Sequence, residues 1–180
     1  MTVRIALDVG IKKIADLTKE LNIYENPEEV FSISLGSGET TLLKLTSAYC
    51  SFVNGGKKIK PILIDRIQDR RGKTFYNADK RKCVKCEETY YQSVEVPKIE
   101  DNFEQVISPE TAYQMISMLE GAVQRGTGKK LKNLNLNLAG KTGTTNKNMD
   151  AWFIGYTSKL VIGVYVGFDE PKSLGKYETG

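Results

Sequence analysis

Lys141-Thr142-Gly143-Thr144 is the segment of this chain whose residue types best suit chemistry. In a strand, successive side chains face opposite sides, so Lys141 and Gly143 point one way and Thr142 and Thr144 the other. A lysine beside hydroxyls can hold an anionic group, with the threonines supplying donors that fix its orientation. Gly143, without a side chain, lets a substrate or a second backbone come close. We expect Lys141, Thr142 and Thr144 to line an anion-binding groove, which pure alternation permits only if the groove runs along the strand edge. The same tripeptide also arises in sheets with no function, and spacing alone leaves both readings open.

Other chemistries fall away by residue type. The chain has no histidine, so it holds no Ser-His-Asp or Cys-His pair and no His-ligated metal. Acyl transfer here would have to draw its base from a lysine or a carboxylate. Cys83 and Cys86 form a lone C-x-x-C, short of the four ligands that a structural zinc site requires. Two loop cysteines able to pair in an oxidising compartment are the simpler reading, and we expect no structural metal there. Cys50 lies in an apolar helical run and reads as a small core residue. Gly36 and Gly38 lack the third glycine of a dinucleotide fingerprint, and no phosphate-loop motif occurs. No cofactor is called for.

The elements that must position the segment follow from periodicity. Residues 2–9 and 11–21 predict helices, with Val3, Ala6 and Val9 on one side of the first and Ile11, Ile14, Leu17 and Leu21 on one side of the second. Residues 25–39, with Pro27 and a glycine-serine cluster, read as loop. A helix over 40–53 presents Leu42, Leu45, Tyr49 and Phe52 and stops at Asn54-Gly55-Gly56. Residues 61–67 and 73–76 predict a hairpin. Residues 77–107 show no sustained period and read as a long excursion. Ser108-Pro109-Glu110 is a helix start, with a capping hydroxyl, a proline at the first position and an acid in the first turn. Its apolar face runs through Ala112, Met115, Ile116, Leu119, Ala122 and Val123, with Met115 and Met118 as core filler and Gly126 and Gly128 as the stop. Strands over 138–145, 151–157 and 160–168 follow, the last two a hairpin turning at Ser158-Lys159. Helices followed by an antiparallel sheet indicate an α+β domain, placed at 1–170 with a polar tail at 171–180.

Composition supports an ordinary globular domain. Its 180 residues are 40% hydrophobic and 27% charged, and 26 Lys and Arg against 22 Asp and Glu give a net charge of +4. The basic residues are dispersed apart from clusters such as Lys57, Lys58 and Lys60, which does not make the dense stripe of a nucleic-acid protein, so no nucleic acid is expected as partner. No run approaches the ~18 apolar residues of a membrane span, and the N-terminus shows no signal pattern.

Residues 141–146, with Asp150-Ala151-Trp152-Phe153-Ile154-Gly155-Tyr156 after them, resemble the third active-site motif and following strand of the bifunctional class A penicillin-binding proteins. Four more segments are similar to the same proteins in the same order: Thr2-Val3-Arg4-Ile5-Ala6, residues 34–41, residues 49–56, and Gly121-Ala122-Val123-Gln124-Arg125-Gly126-Thr127-Gly128. Residues 77–107 are the poorly matched part. The resemblance implies the C-terminal portion of a transpeptidase domain, a partial β-lactamase-like serine transferase fold with an antiparallel sheet and packed helices. It implies a D,D-transpeptidase of the cell wall, at the periplasmic face of the inner membrane. There a serine takes the acyl group from a peptidoglycan stem peptide, or is captured by a β-lactam, and an amine of a neighbouring stem resolves the acyl-enzyme. By the same resemblance Lys141 and Thr144 are the catalytic residues. Lys141 would steer the substrate carboxylate, the Thr144 N–H would be half of the oxyanion hole, and Thr142, Gly143 and Thr144 would bind substrate. The family's Ser-x-x-Lys and Ser-x-Asn motifs precede the part that residues 2–6 resemble. No Ser-x-Asn occurs here, and the one Ser-x-x-Lys, Ser173-Leu174-Gly175-Lys176, comes after the sheet. The chain has no nucleophile in place and is expected to be inactive alone. A non-catalytic cell-wall binding or scaffold module and a non-functional gene remnant stand as alternatives.

Overall fold

A computed structural model describes residues 1–84 and 98–175. Helices α1 (Thr2–Val9) and α2 (Ile11–Glu20) lie where the periodicity puts them, parted at Gly10, and bury Ala6 and Ala15. The stretch expected to be loop contains a 3-10 turn at Phe31–Leu35 that buries Ile33. Five residues are too few to show a period in sequence. Helix α3 (Leu42–Val53) begins at Thr41, whose Oγ1 accepts the Lys44 N–H at 3.2 Å. It buries Ala48 and Ser51 outright, while the predicted stripe of Leu42, Leu45, Tyr49 and Phe52 is half-buried. Cys50 is also half-buried rather than a core residue, and burial raises its thiol pKa.

Residues 60–104 form a unit of their own. Strands β1 (Arg66–Gln68) and β2 (Thr74–Asn77) pair antiparallel across a bulge, with Ile67 opposite Tyr76. The expected first strand is longer, but among the described residues Ile62, Leu63 and Ile64 have no ladder partner, and Leu63 is 89% exposed. Apolar character alone does not make a strand where nothing lies opposite to accept its hydrogen bonds. Strands β3 (Cys83–Val84) and β4 (Lys98–Ile99) form a two-residue ladder. Cys83 is disulfide-bonded, and Cys86 lies outside the described residues.

The other unit, residues 1–59 and 105–180, resumes with α4 (Pro109–Arg125). The Ser108 Oγ accepts the Thr111 N–H at 3.2 Å, with Pro109 opening the first turn. Ala112, Leu119 and Val123 are buried as the stripe requires. Met118 is not core filler: it is 62% exposed, because it falls on the side of the helix away from that stripe. A 3-10 turn at Lys129–Leu134 leads into β5 (Ala139–Thr144), β6 (Asp150–Tyr156) and β7 (Val161–Gly167). These form an antiparallel sheet in the order β5-β6-β7. Helix α4 packs on β5 and α3 on β7. Leu119, Ala139 and Tyr156 are buried together, with Tyr49, Val53, Met115, Ile116 and Val161 packed around them.

Candidate active site

Strand β5 carries the K-T-G segment and is an edge of its sheet. Register fixes the faces. Ala139 lies opposite Tyr156, Lys141 opposite Ile154 and Gly143 opposite Trp152, so these residues share the helix-covered face. Thr142 and Thr144, opposite Phe153 and Ala151, belong to the other face. Alternation therefore does part the lysine from the threonines, and the strand edge reconnects them. The Lys141 Nζ folds along the strand and donates to the Thr142 carbonyl at 2.6 Å. The Thr142 hydroxyl lies 2.9 Å from that of Thr127, on the loop after α4. Thr142 is thus held at its carbonyl by an ammonium and at its side chain by a second hydroxyl.

At the end of β5, Gly143 and Thr144 line a cavity of about 710 Å³. Its walls include Trp152 and Tyr165, whose rings meet edge to face at 4.8 Å, together with Gly38, Glu39 and Thr40 from the segment that precedes α3. Lys141 and Thr142 are outside this lining, so the expected groove divides into an edge at Lys141 and Thr142 and a cavity at Gly143 and Thr144. At Gly143 a Cβ would stand 3.2 Å from the Trp152 Cβ, so the tight neighbour across the ladder is that side chain. Asp150 orients the indole, its Oδ1 accepting the Trp152 Nε1–H at 3.1 Å. The Asp150 N–H in turn donates to the Thr145 Oγ1 at 2.9 Å, which closes the turn between β5 and β6. Behind the 37–40 segment, the Tyr24 hydroxyl donates to the Gly38 carbonyl at 3.3 Å and the Thr40 hydroxyl to the Ile23 carbonyl at 2.8 Å.

Residues 1–180 match the penicillin binding protein transpeptidase domain. The chain belongs to that family. Penicillin-binding protein 1A of Rickettsia prowazekii is 45% identical over 184 residues, an alignment covering all of this chain and 23% of that protein. Its counterpart in Pseudomonas aeruginosa is 34% identical over 212 residues, covering all of this chain and 26% of that protein. The crystal structure of penicillin-binding protein 1A from Haemophilus influenzae superposes with a TM-score of 0.82 at 26% identity, over 99% of this chain and 30% of that one. The chain spans about a quarter of the length of the curated relatives it matches. The α+β architecture expected from the sequence is that of a penicillin-binding transpeptidase domain.

The C-terminal Ser-x-x-Lys, Ser173 to Lys176, follows β7 and its described residues lie outside any helix or strand. Ser173 is exposed in irregular chain, and its Oγ accepts the Gly175 N–H at 3.2 Å. The segment is tied to the β5–β6 turn, with the Leu174 N–H on the Asn148 carbonyl at 2.8 Å and the Asn148 Nδ2 on the Gly175 carbonyl at 2.9 Å. Lys176 lies outside the described residues. Sequence reasoning gave no role to Thr127, Trp152, Tyr165 or the 37–40 segment. Each lies in or next to a segment that carries the family resemblance, except Tyr165, whose only signal is its register opposite Trp152. Among the described residues no helix is long and apolar enough to cross a membrane.

Proposed function

We propose that this chain forms the substrate-carboxylate and oxyanion wall of a peptidoglycan D,D-transpeptidase acting at the periplasmic face of the inner membrane. The observation that carries the reading is the edge strand itself, with an ammonium folded onto the Thr142 carbonyl and a cavity opening at Gly143 and Thr144. In the proposed reaction a serine Oγ forms an ester with the penultimate D-alanine carbonyl of a stem peptide while the amide bond breaks and terminal D-alanine leaves. An amine of a second stem then attacks that ester, forming the cross-link and restoring the serine. Lys141 and Thr142 hold the terminal carboxylate, and the Thr144 N–H faces the oxygen that becomes negative as the carbonyl is attacked. β-lactams are captured in the same place. Since no serine in these 180 residues stands in the family's helical Ser-x-x-Lys setting, the chain alone binds substrate without turning it over.

The test has two arms. A fluorescent penicillin should leave no covalent adduct on the 180-residue chain, and an adduct mapped by mass spectrometry to any of its serines would overturn the silence. A peptide ending in D-alanyl-D-alanine carboxylate should bind reversibly and more tightly than its C-terminal amide. Lys141→Met should weaken the carboxylate peptide about tenfold or more, the scale of one charge-assisted contact. Equal binding of the two peptides to the native chain would sink the site assignment.

A further inference from the structure

We propose that Thr127 is a positioning residue for the carboxylate site: its hydroxyl fills a lone pair of the Thr142 hydroxyl and leaves the Thr142 proton to be given to the bound anion. The inference rests on the reading of Lys141 and Thr142 given above. Each hydroxyl has one proton and two lone pairs. At 2.9 Å the two oxygens share a hydrogen bond in which either can donate. An anion removes the ambiguity, because a carboxylate only accepts. When it arrives at Thr142, that hydroxyl donates to it, and Thr127 becomes the donor to Thr142. The two O–H dipoles then point the same way, toward the negative charge, and each strengthens the other. Without Thr127, the Thr142 hydroxyl keeps its rotational freedom and must be ordered when the anion binds.

The loop that carries Thr127 is held closely enough for this. The Gly126 and Gly128 N–H groups both donate to the Ala122 carbonyl, at 3.2 and 3.0 Å, and the Lys129 N–H donates to the Gly126 carbonyl at 3.3 Å. A Cβ on Gly126 would stand 2.9 Å from the Cα and carbonyl oxygen of Ala122, so this turn closes only around a residue without one. Helix α4, which the loop terminates, packs on β5, the strand that carries Thr142. The hydroxyl of Thr127 is therefore referenced to the same strand through the helix. The Lys141 ammonium on the Thr142 carbonyl brings the charge that attracts the anion to the same residue whose hydroxyl receives it.

A simple tie between loop and strand would show the same hydrogen bond, so the experiment must separate tethering from positioning. The 180-residue chain, native and with Thr127→Val or Thr127→Ser, is titrated by NMR with a D-alanyl-D-alanine peptide and with its C-terminal amide. Thr127→Val should bind the carboxylate peptide about tenfold more weakly and the amide as the native chain does. Thr127→Ser, which keeps the hydroxyl, should stay within about twofold of native. The proposal falls if Thr127→Val binds the carboxylate peptide like the native chain, or loses both peptides equally. Should Thr127→Val not fold, Thr127→Ser decides: a tenfold loss there also overturns it. A native chain that does not distinguish the two peptides defeats the function reading itself, before Thr127 is in question.

Discussion

The β5–β7 sheet and the β1–β2 hairpin are both antiparallel, and they are held by different forces. In the sheet, Ala139, Ile154 and Tyr156 are buried on the face that α3 and α4 cover. Every residue of β1 and β2 is exposed. The hairpin relies instead on its turn. The Asp69 Oδ1 accepts the Arg71 and Lys73 N–H groups at 2.8 and 2.9 Å, and the Gln68 Nε2 donates to the Gly72 carbonyl and the Thr74 hydroxyl, each at 3.0 Å. Burial contributes roughly 25 cal/mol per Å² of apolar surface, whereas an exposed hydrogen bond exchanges one partner for water at a net of about 1 kcal/mol or less. Substitutions in the packed unit should therefore be felt throughout it, and those in the hairpin should stay local. The proposed carboxylate site is built on the packed unit, where a strand edge can be held against a helix.

The strongest test of this contrast is Gly56→Ala. Gly56 has φ 85° and is buried, and its carbonyl accepts the Val106 and Ile107 N–H groups, both at 3.0 Å. The Gln105 Nε2 donates to the Gly55 carbonyl at 2.8 Å and so closes the same junction. A Cβ at Gly56 would run into the Ile107 carbonyl oxygen. Left-handed backbone with a side chain costs about 1–2 kcal/mol, and the backbone collision adds to it. Gly56→Ala should lose about 3 kcal/mol or more, among the large effects known for single substitutions, read as a shift in denaturant midpoint with little change in slope. A loss below about 1 kcal/mol would show that the junction bends and the unit is less tightly packed than this.

The sequence signals that anticipated the fold are the ones that act locally. Ser108 and Pro109 mark the start of α4 because capping and the fixed proline φ need only neighbouring residues. Strands β6 and β7 are legible because Val, Ile and aromatic residues run between clear turn signals. What failed depends on partners far along the chain. Residues 62–64 have strand composition and, among the described residues, no strand opposite, and Met118 has a core residue's chemistry on a solvent-facing side. The site divides in the same way. The K-T-G spacing is visible in sequence. That Lys141 turns onto the Thr142 carbonyl, and that Thr127 meets the Thr142 hydroxyl, follows from how α4 packs on β5 and cannot be read from spacing.

A smaller effect of opposite sign is expected at the centre of the packed unit. Tyr156 is 3% exposed, and among the described residues its hydroxyl has no hydrogen-bond partner. A buried unpaired hydroxyl costs about 1–3 kcal/mol, so Tyr156→Phe should stabilise the protein by about 1 kcal/mol after the loss of some packing. Burial, with smaller contributions from Tyr49 and Glu120, raises the phenol pKa well above its ordinary 10.0. The sign follows: the native state keeps the proton, so stability is full below pH 10 and declines as the unfolded chain ionises above it. Thermal melts of the native and Tyr156→Phe proteins should diverge further above pH 10. A Tyr156→Phe protein less stable than native at pH 7 would mean that the hydroxyl finds a partner.

The smallest expected effect lies in the 60–104 unit, at the Asp79–Arg81 pair. The Arg81 Nε donates to both Asp79 carboxylate oxygens, at 2.9 and 3.1 Å, its Nη2 donates to Oδ2 at 2.6 Å, and its backbone N–H donates to Oδ1 at 3.0 Å. The guanidinium also stands over the Phe103 ring, 5.3 Å from its centre. The side-chain hydrogen bonds, then the backbone one, lower the Asp79 pKa from 3.8 to about 2. A lowered carboxylate pKa stabilises the folded state above the unfolded value, so this contribution is complete above pH 3.8 and is lost as pH falls toward 2. Both groups meet water, which screens the pair, so no change in melting temperature should be resolvable at neutral pH. The readout is the carboxyl carbon of Asp79 by NMR. Its midpoint should lie near 2 in the native chain and return toward 3.8 in Arg81→Ala, while the amides of β5–β7 stay in place across the titration. If those amides shift together with Asp79, the hairpin unit is coupled to the sheet and the contrast between local and packed stabilisation fails. If Asp79 titrates near 3.8 in the native chain, the bidentate geometry does not persist in solution, and the turn of Asp69 and Gln68 must hold the hairpin without it.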